Sequence, residues 1–369
     1  MVLKRISLRG FRNYRALDVD LSEGVTLFSG SNAQGKTNLL EGIYALSAGR
    51  SFRAAKDSEM VLWGEEAAWA KGWVSGEYSD FTVSLSVSSA GRKTARLNDV
   101  EKIRPSELSD RLNAVAFIPD DLDLVKGSPA ARRKFLDLQI SQLSPVYRQT
   151  LIVYSRTVLQ KNALLKNYHE MPDSPRLLDI FNEGLVREGS LLVKMRSDAV
   201  EALAPLAAGN YGYIADSSEE LEVTYMPSVE VGQRPDLESV KESFAKKLAT
   251  HRAAEIARGA CLVGPQRDDL GLSISGRAAS SFGSQGQQRT AVISLKLAEA
   301  EAITAARGES PVVLLDDVLS ELDESRRQRL IRRFLGRCQT VITATDAEYA
   351  FSMPGCLSYR VAAGEVAPL

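Results

Sequence analysis

Gly30-Ser31-Asn32-Ala33-Gln34-Gly35-Lys36-Thr37 fits the phosphate-loop pattern G-x-x-x-x-G-K-[ST] with nothing left over. A triphosphate carries several negative charges that must be met without filling its pocket with side chains. Glycines at 30 and 35 let backbone N–H groups turn inward around the phosphates, Lys36 reaches the outer ones, and Thr37 offers a hydroxyl to Mg²⁺. Residues 25–28 read as a buried strand and residues 38–46 as an apolar helix, whose positive N-terminal end faces the same phosphates. Strand, loop and helix come in the order the motif needs. The nucleotide-binding set is therefore Gly30, Ser31, Asn32, Ala33, Gln34, Gly35, Lys36, Thr37 and Asn38, in an α/β fold.

Outward from the loop, residues 1–28 alternate apolar and polar as two half-buried strands. Arg50 and Arg53 follow the loop helix closely; they could reach a phosphate or serve as exposed loop charges. Residues 67–97 form an antiparallel meander with turns at 76–80 and 88–91, and Trp63, Trp69 and Trp73 are expected to pack in or at the edge of it. After a strand at 114–118 the period becomes helical. Tyr147, Leu151, Tyr154, Val158 and Leu165 make one stripe; Phe181, Leu185, Leu192, Met195, Ala199 and Ala202 make another. The polar break at 166–176 predicts a short antiparallel helical hairpin, and Lys161 and Glu188 interrupt the stripes too often for a long coiled coil. A strand at 221–225 and a charged helix at 236–258 complete a mainly helical insertion.

The ATPase pattern then resumes. Val312-Val313-Leu314-Leu315-Asp316-Asp317 is a buried strand ending in two carboxylates, the form of a Walker B strand. Asp316 is placed to hold Mg²⁺ through its water shell, and Asp317, one residue on, to polarise an attacking water. Lys36 and Asp317 are thus the candidate catalytic residues, with Thr37 and Asp316 as metal ligands. The expected organisation is residues 1–124 as the first part of an ATPase lobe, 125–260 as the helical insertion, and 261–369 as the rest of the lobe.

Composition bounds the remainder. With 46 Lys and Arg against 47 Asp and Glu, any nucleic-acid surface must come from clustering rather than bulk charge. Two such clusters are Arg132, Arg133 and Lys134, and Arg326, Arg329, Arg333 and Arg337 on one face of an arginine-rich helix; taken singly, each reads first as a solvated face, and which basic residues touch DNA stays open. The three cysteines lack metal spacing and no apolar run of membrane-spanning length occurs, which points to a soluble cytoplasmic protein.

The ordered set of phosphate loop, Ser284-Gln285-Gly286-Gln287, Asp316-Asp317 and Ser320-Glu321-Leu322-Asp323 resembles ABC-type ATPase heads: Walker A, signature, Walker B and D-loop. The opening Leu8-Arg9-Gly10-Phe11-Arg12-Asn13-Tyr14, with Gly49-Arg50-Ser51-Phe52-Arg53, residues 117–122, residues 132–137 and Gly264-Pro265-Gln266-Arg267-Asp268-Asp269, is similar to the bacterial RecF family of recombination mediators. That resemblance implies an ABC-type lobe with a mixed sheet and an antiparallel β subdomain, interrupted by the helical lobe. It further implies an ATP-dependent homodimer on DNA that works with RecR and RecO to load RecA, and a weak Mg²⁺-dependent ATPase. In the dimer, Ser284, Gln285, Gly286 and Gln287 act in trans on the partner's nucleotide, and Ser320 and Asp323 belong to the D-loop. A transporter's nucleotide-binding subunit and an SMC-like DNA clamp are the other readings of the same motifs. Three positions depart from the family pattern: Gln266 stands where histidine is usual, Asp317 replaces a glutamate, and Thr345 occupies the switch-histidine position.

Overall fold

The structure is a computed structural model that describes residues 1–76, 79–232, 235–334, 336–345 and 355–369. The chain forms two compact units, Met1–Asp121 with Glu299–Leu369, and Leu122–Ala298.

The first unit holds two six-stranded sheets. Strands β1 (Val2–Phe11), β2 (Tyr14–Asp20), β4 (Ala67–Ser75), β5 (Asp80–Ser88), β6 (Lys93–Leu97) and β7 (Glu101–Ile103) pair antiparallel in the order β2-β1-β4-β5-β6-β7. This is the expected meander with β1 and β2 added; of its turn at 76–80, residues 77 and 78 lie outside the described residues. Strands β3 (Val25–Ser29), β8 (Ala114–Phe117), β12 (Val312–Asp316), β13 (Thr340–Ala344), β14 (Leu357–Ala362) and β15 (Glu365–Pro368) form the mixed sheet β15-β14-β3-β13-β12-β8, parallel except for β15. Its central strands are buried throughout, as strands covered on both faces must be.

Helix α1 (Lys36–Ala48) joins the sheets into one core. Its Leu39, Leu40, Ile43 and Leu46 are fully buried with Leu3, Ile6 and Val83 of one sheet and Phe28, Leu314 and Val341 of the other. Helix α9 (Glu324–Phe334) shields part of the mixed sheet, with Phe334 edge-on to Phe117 at 5.5 Å.

The second unit contains α2 (Asp123–Lys126), α3 (Pro129–Leu143), α4 (Pro145–Lys166), α5 (Ser174–Ala215), α6 (Leu237–Arg258), α7 (Ala279–Phe282) and the start of α8 (Gln285–Arg307). Helices α4 and α5 make the predicted hairpin, broken between Lys166 and Ser174, although α5 runs for 42 residues. Prolines open α3, α4 and α5, where the missing N–H costs nothing, and the Ser144 hydroxyl caps α4 by accepting from Tyr147 N at 3.1 Å. Helix α6 starts where the sequence predicted, with Asp236 as its cap.

The return to the ATPase lobe differs from the expected residue 261. Strand β10 (Asp269–Ile274) pairs with β9 (Leu221–Met226) on one side and β11 (Arg277–Ala278) on the other, so residues 261–298 pack with the helical unit. The division falls inside α8, and the signature residues belong to the second unit.

Candidate nucleotide site

The phosphate loop spans the gap between β3 and α1. Ala33 has φ of 65° and Gly35 has φ of 116°, backbone that side chains disfavour and that turns N–H groups inward. A Cβ on Gly35 would lie 2.5 Å from Asn13 Nδ2, and one on Gly30 would lie 2.3 Å from Val361 O, so both glycines are dictated by neighbours as well as by the motif.

Those neighbours come from distant sequence. Asn13, in the β1–β2 turn, donates from Nδ2 to Gln34 O at 3.1 Å and accepts from Asn38 Nδ2 at 2.6 Å, while the Tyr14 hydroxyl donates to Gly35 O at 3.0 Å. From the C-terminal side, Gly364 N donates to Gln34 O at 3.2 Å and Ala363 N to Gln34 Oε1 at 2.7 Å. Asn13, Tyr14 and the β14–β15 turn were not singled out from sequence as parts of this site.

Lys36 curls around the loop and donates to Gly30 O at 2.5 Å and Ser31 O at 2.9 Å. Burial pushes its ammonium below the ordinary lysine value, against the opposing pull of Asp317 and Asp316. Thr37 donates to Asp316 Oδ1 at 2.9 Å, and Thr343 on β13 donates to the same oxygen at 2.8 Å. Burial pushes the Asp316 carboxyl above the ordinary aspartate value; the two threonine hydroxyls pull it down, Asp317 adds to the rise, and Arg53 lowers it. A buried carboxylate short of positive charge beside a threonine hydroxyl suits a divalent cation. Thr37 and Asp316 would hold it.

Asp317 follows at φ of 54°, its N–H donating to Thr343 Oγ1 at 3.1 Å. Its Oδ1 is a buried acceptor with no hydrogen-bond partner, a position that a water molecule could satisfy. In the D-loop, the Ser320 hydroxyl donates to Asp317 O at 2.6 Å, and Asp323 Oδ1 accepts from Arg326 N at 2.9 Å at the start of α9. Ser31, Asn32 and Ala33 are exposed at the lip of the loop.

Of the two arginines left open by sequence, Arg53 is committed within the chain. Its Nε donates to the fully buried Glu41 at 3.0 Å, and it also reaches Asn38. Arg12 makes a fork to the same carboxylate at 2.5 and 2.8 Å, and the Ser51 hydroxyl donates to it at 2.5 Å. Glu41, which the sequence reading passed over, thus anchors a chain of polar contacts through Arg53, Asn38 and Asn13 to the phosphate loop.

The signature lies at the start of α8. Ser284 N donates to Gln287 Oε1 at 2.7 Å and Gln287 N to Ser284 Oγ at 3.3 Å, a reciprocal cap that leaves Ser284 and Gln285 exposed. Gln287 Nε2 also donates to Glu219 at 2.6 Å, while Gly286 is half-buried.

Three expectations change with the side chains in view. Trp63 is 97% exposed, in a turn rather than on a strand, while Trp69 and Trp73 are half-buried on β4. The basic cluster at 132–134 is largely structural, because Arg132 forks to Asp269 at 2.7 and 2.9 Å and Arg133 donates to Asp268 O at 2.7 Å. On α9, Arg326 faces Asp323 at 3.5 Å and Arg333 pairs with Glu301 at 2.6 Å, so that helix face is partly neutralised.

The departures also find places. Gln266 accepts from the Tyr154 hydroxyl and donates to Val263 O at 2.9 Å inside the second unit. Beside it, Arg196, 2% exposed, donates to Asp268 at 2.9 Å and Asp137 at 2.7 Å. The Gly264 to Asp269 motif is therefore an anchor of the helical unit, with Gly264, Pro265 and Asp268 buried and Arg267 exposed. Thr345 is exposed after β13.

The RecF/RecN/SMC N terminal domain family model matches residues 2–361. A DNA replication and repair protein RecF of Bacillus cytotoxicus is 40% identical over 348 residues, 94% of this chain and 93% of that protein. The chain belongs to the RecF family. A second RecF relative, from Bacillus mycoides, is 40% identical over 349 residues with the same shares covered. A solved structure of the recombination mediator protein RecF-ATP in the RecFOR pathway superposes with a TM-score of 0.92 at 34% identity, covering 100% of this chain and 97% of that one. An Smc head bound to the C-winged helix domain of ScpA shares the fold, with a TM-score of 0.59 at 15% identity over 100% of this chain and 98% of that one. The RecF family's ABC-type head thus accounts for both the mixed sheet and the antiparallel one. Among the described residues, no helix is long and apolar enough to cross a membrane.

Proposed function

We propose that this protein is an ATP-dependent DNA-binding protein of recombinational gap repair and the replication-linked SOS response, acting in the cytoplasm. It binds Mg-ATP, dimerises around two nucleotides, and helps RecR and RecO load RecA. The observation that carries the nucleotide half of this reading is the meeting of Thr37, Asp316 and Thr343 at 2.8 to 2.9 Å directly behind the phosphate loop. Similarity to RecF-ATP favours this reading over a transporter subunit or a free-standing clamp.

In the proposed cycle, loop N–H groups and Lys36 hold the triphosphate, and the cation supplies charge neutralisation between phosphates when bound. Asp317 orients water by accepting its proton-bearing edge, and the exposed Ser284 with Gly286 completes the partner protomer's site. A carboxylate one methylene shorter than glutamate reaches less far, so turnover is slow and serves to reset the dimer.

Mixing two variants tests the composite site. Lys36→Met removes the phosphate-binding charge from a protomer's own site, and Ser284→Arg pushes a bulky cation into its partner's. Each alone should be inactive. In a twofold dimer, a mixed pair collects both lesions in one site and leaves the other intact. Random pairing then restores about a quarter of sites. ATPase recovery towards that fraction supports the reading, and absence of recovery in crosslinked mixed dimers that bind nucleotide counts against it.

A further inference from the structure

The nucleotide site leaves one large surface without a role: the outward face of the antiparallel sheet. Strand register fixes which side chains share it. One row of directly opposed residues crosses the sheet as Asp18, Ser7, Lys71, Ser84, Arg96 and Lys102. A second runs Arg5, Trp73 and Thr82, and a third Arg9, Trp69, Ser86 and Thr94. The first row carries its cations over the buried Ser7 and Ser84, while the other two combine an arginine and an indole with the half-buried Thr82, Ser86 and Thr94.

Among the described residues, acids occur at the margins of this face. Asp18 and Asp20 on the β2 edge pair with Arg9 at 2.5 Å and Arg5 at 3.8 Å, Asp80 at the start of β5 pairs with Lys4 at 3.6 Å, and Asp99 in the β6–β7 turn pairs with Lys71. Arg96 and Lys102 stand directly opposite each other on β6 and β7, both exposed, and among the described residues neither meets a carboxylate. Arg96 instead donates to Asp99 O at 3.1 Å. Like charges directly opposed across strands weaken the pairing. An anion lying over them would reverse that cost.

Lys71 Nζ lies 5.0 Å and the Arg5 guanidinium 5.6 Å from the Trp73 ring centroid, so one indole carries two cations above the sheet. From Lys71 to Lys102 is three strand spacings, about 14 Å. That spans about four base pairs of duplex axis at ~3.4 Å each. The face is a sheet surface rather than a pocket, which suits an extended polyanion over a small one. Its cations, with the half-buried Thr82, Ser86 and Thr94, are donors of the kind that contact phosphate oxygens.

We infer that the DNA backbone lies across this sheet face, with Arg96 and Lys102 as phosphate contacts, independent of sequence. The inference rests on the DNA-binding reading above and assigns its surface. It replaces the arginines at 132, 326 and 333, which carboxylates within the chain already engage, whereas Arg96 and Lys102 meet none among the described residues.

The test is fluorescence anisotropy of a labelled gapped duplex with full-length protein and Mg-ATP, repeated over a salt series. Arg96→Gln with Lys102→Gln should flatten the slope of log affinity against log salt by about 2, at about 0.9 per phosphate lost, and weaken binding at ~0.1 M salt at least ~10-fold. Binding of a fluorescent ATP analogue should equal wild type, which checks folding. The swap Arg96→Lys with Lys102→Arg keeps both charges and should keep the slope. If wild type binds DNA and the Gln pair binds with the same slope and affinity, or the swap loses as much as the Gln pair, the face is wrongly assigned. If wild type itself binds no DNA with or without ATP, the functional reading falls and takes this inference with it.

Discussion

Replacing Glu41 by Gln keeps the shape of the buried side chain and removes its charge. Glu41 is fully buried on α1 and receives the Arg12 fork at 2.5 and 2.8 Å, Arg53 at 3.0 Å and Ser51 at 2.5 Å. An amide retains one acceptor and turns its NH₂ towards guanidinium donors, so at least one arm of the Arg12 fork is lost and the other loses its charge. At about 1.5–3 kcal/mol per charge-assisted bond, the Arg12 pair alone predicts about 3–5 kcal/mol of destabilisation, the range found when one partner of a buried ion pair is removed. Arg53 is a third exposed and adds little. All three tryptophans, Trp63, Trp69 and Trp73, lie in the first unit, so intrinsic fluorescence follows its unfolding. With a urea slope of about 2 kcal/mol/M, the midpoint should fall by about 1.5–2.5 M. A shift under about 0.3 M would refute the view that Glu41 organises the surroundings of the phosphate loop. Nucleotide affinity, measured at low urea, should also drop, because Asn38 and Asn13 lose the anchored Arg53 behind them.

Asp316→Asn tests the cation site through pH. Since burial raises the Asp316 carboxyl in the folded protein, its contribution to stability is complete below the ordinary aspartate value of 3.8 and is lost as pH rises through the folded value. Without nucleotide the Asn variant should therefore melt no lower than wild type near pH 4 and higher at pH 7, while Mg²⁺-dependent ATP binding disappears; a lower melting temperature at pH 7 would contradict this. Lys161 and Glu255 form a pair at 2.6 Å with no exposure of either side chain, so Lys161→Met should cost about 3–5 kcal/mol by leaving the carboxylate alone. Adding Glu255→Gln, which still accepts from Leu262 N, should recover part of that loss in denaturation followed by circular dichroism, and no recovery would mean that Lys161 acts by packing. Asp317→Asn should slow ATP hydrolysis by about 10²–10⁴-fold, the range of general-base effects, and leave ATP bound; loss of ATP binding would reassign Asp317 to holding the nucleotide.

What was legible in the sequence was local. The strand, loop and helix at 25–48, the Walker B strand, the hairpin break and the Asp236 cap each depend on residues a few positions apart, where periodicity and turn chemistry decide the outcome. Partners far along the chain were not legible. Nothing in the spacing of Arg132 pairs it with Asp269, 137 residues on, so a charge cluster that reads first as a solvated face became an internal ion pair. Asn13 and Thr343 look like ordinary turn and strand residues until the phosphate loop and Asp316 are brought against them. Trp63 misled for another reason: two neighbouring tryptophans do follow the strand period, and the turn that carries Trp63 out of it has no strong breaker before Gly64. The boundary inside α8 was hidden because a helix shows no compositional break where its neighbours change.

The dependence of the phosphate loop on residues 361–364 has a consequence for biosynthesis. Strand β3 pairs only with β13 and β14, and Gln34 is fastened by Ala363 and Gly364. As the chain emerges from the ribosome, the phosphate loop waits for a segment made 329 residues later. At about 5–20 residues per second, the span from Ser29 to Thr340 takes roughly 15–60 s to make. Throughout that interval α1 and the first sheet can collapse, and the intervening 122–298 segment can assemble, but β3 still has open edges on both sides. A nascent chain stalled before β13 would expose a short apolar strand beside an unfinished ATP loop, a species suited to chaperone capture and unable to take up nucleotide early.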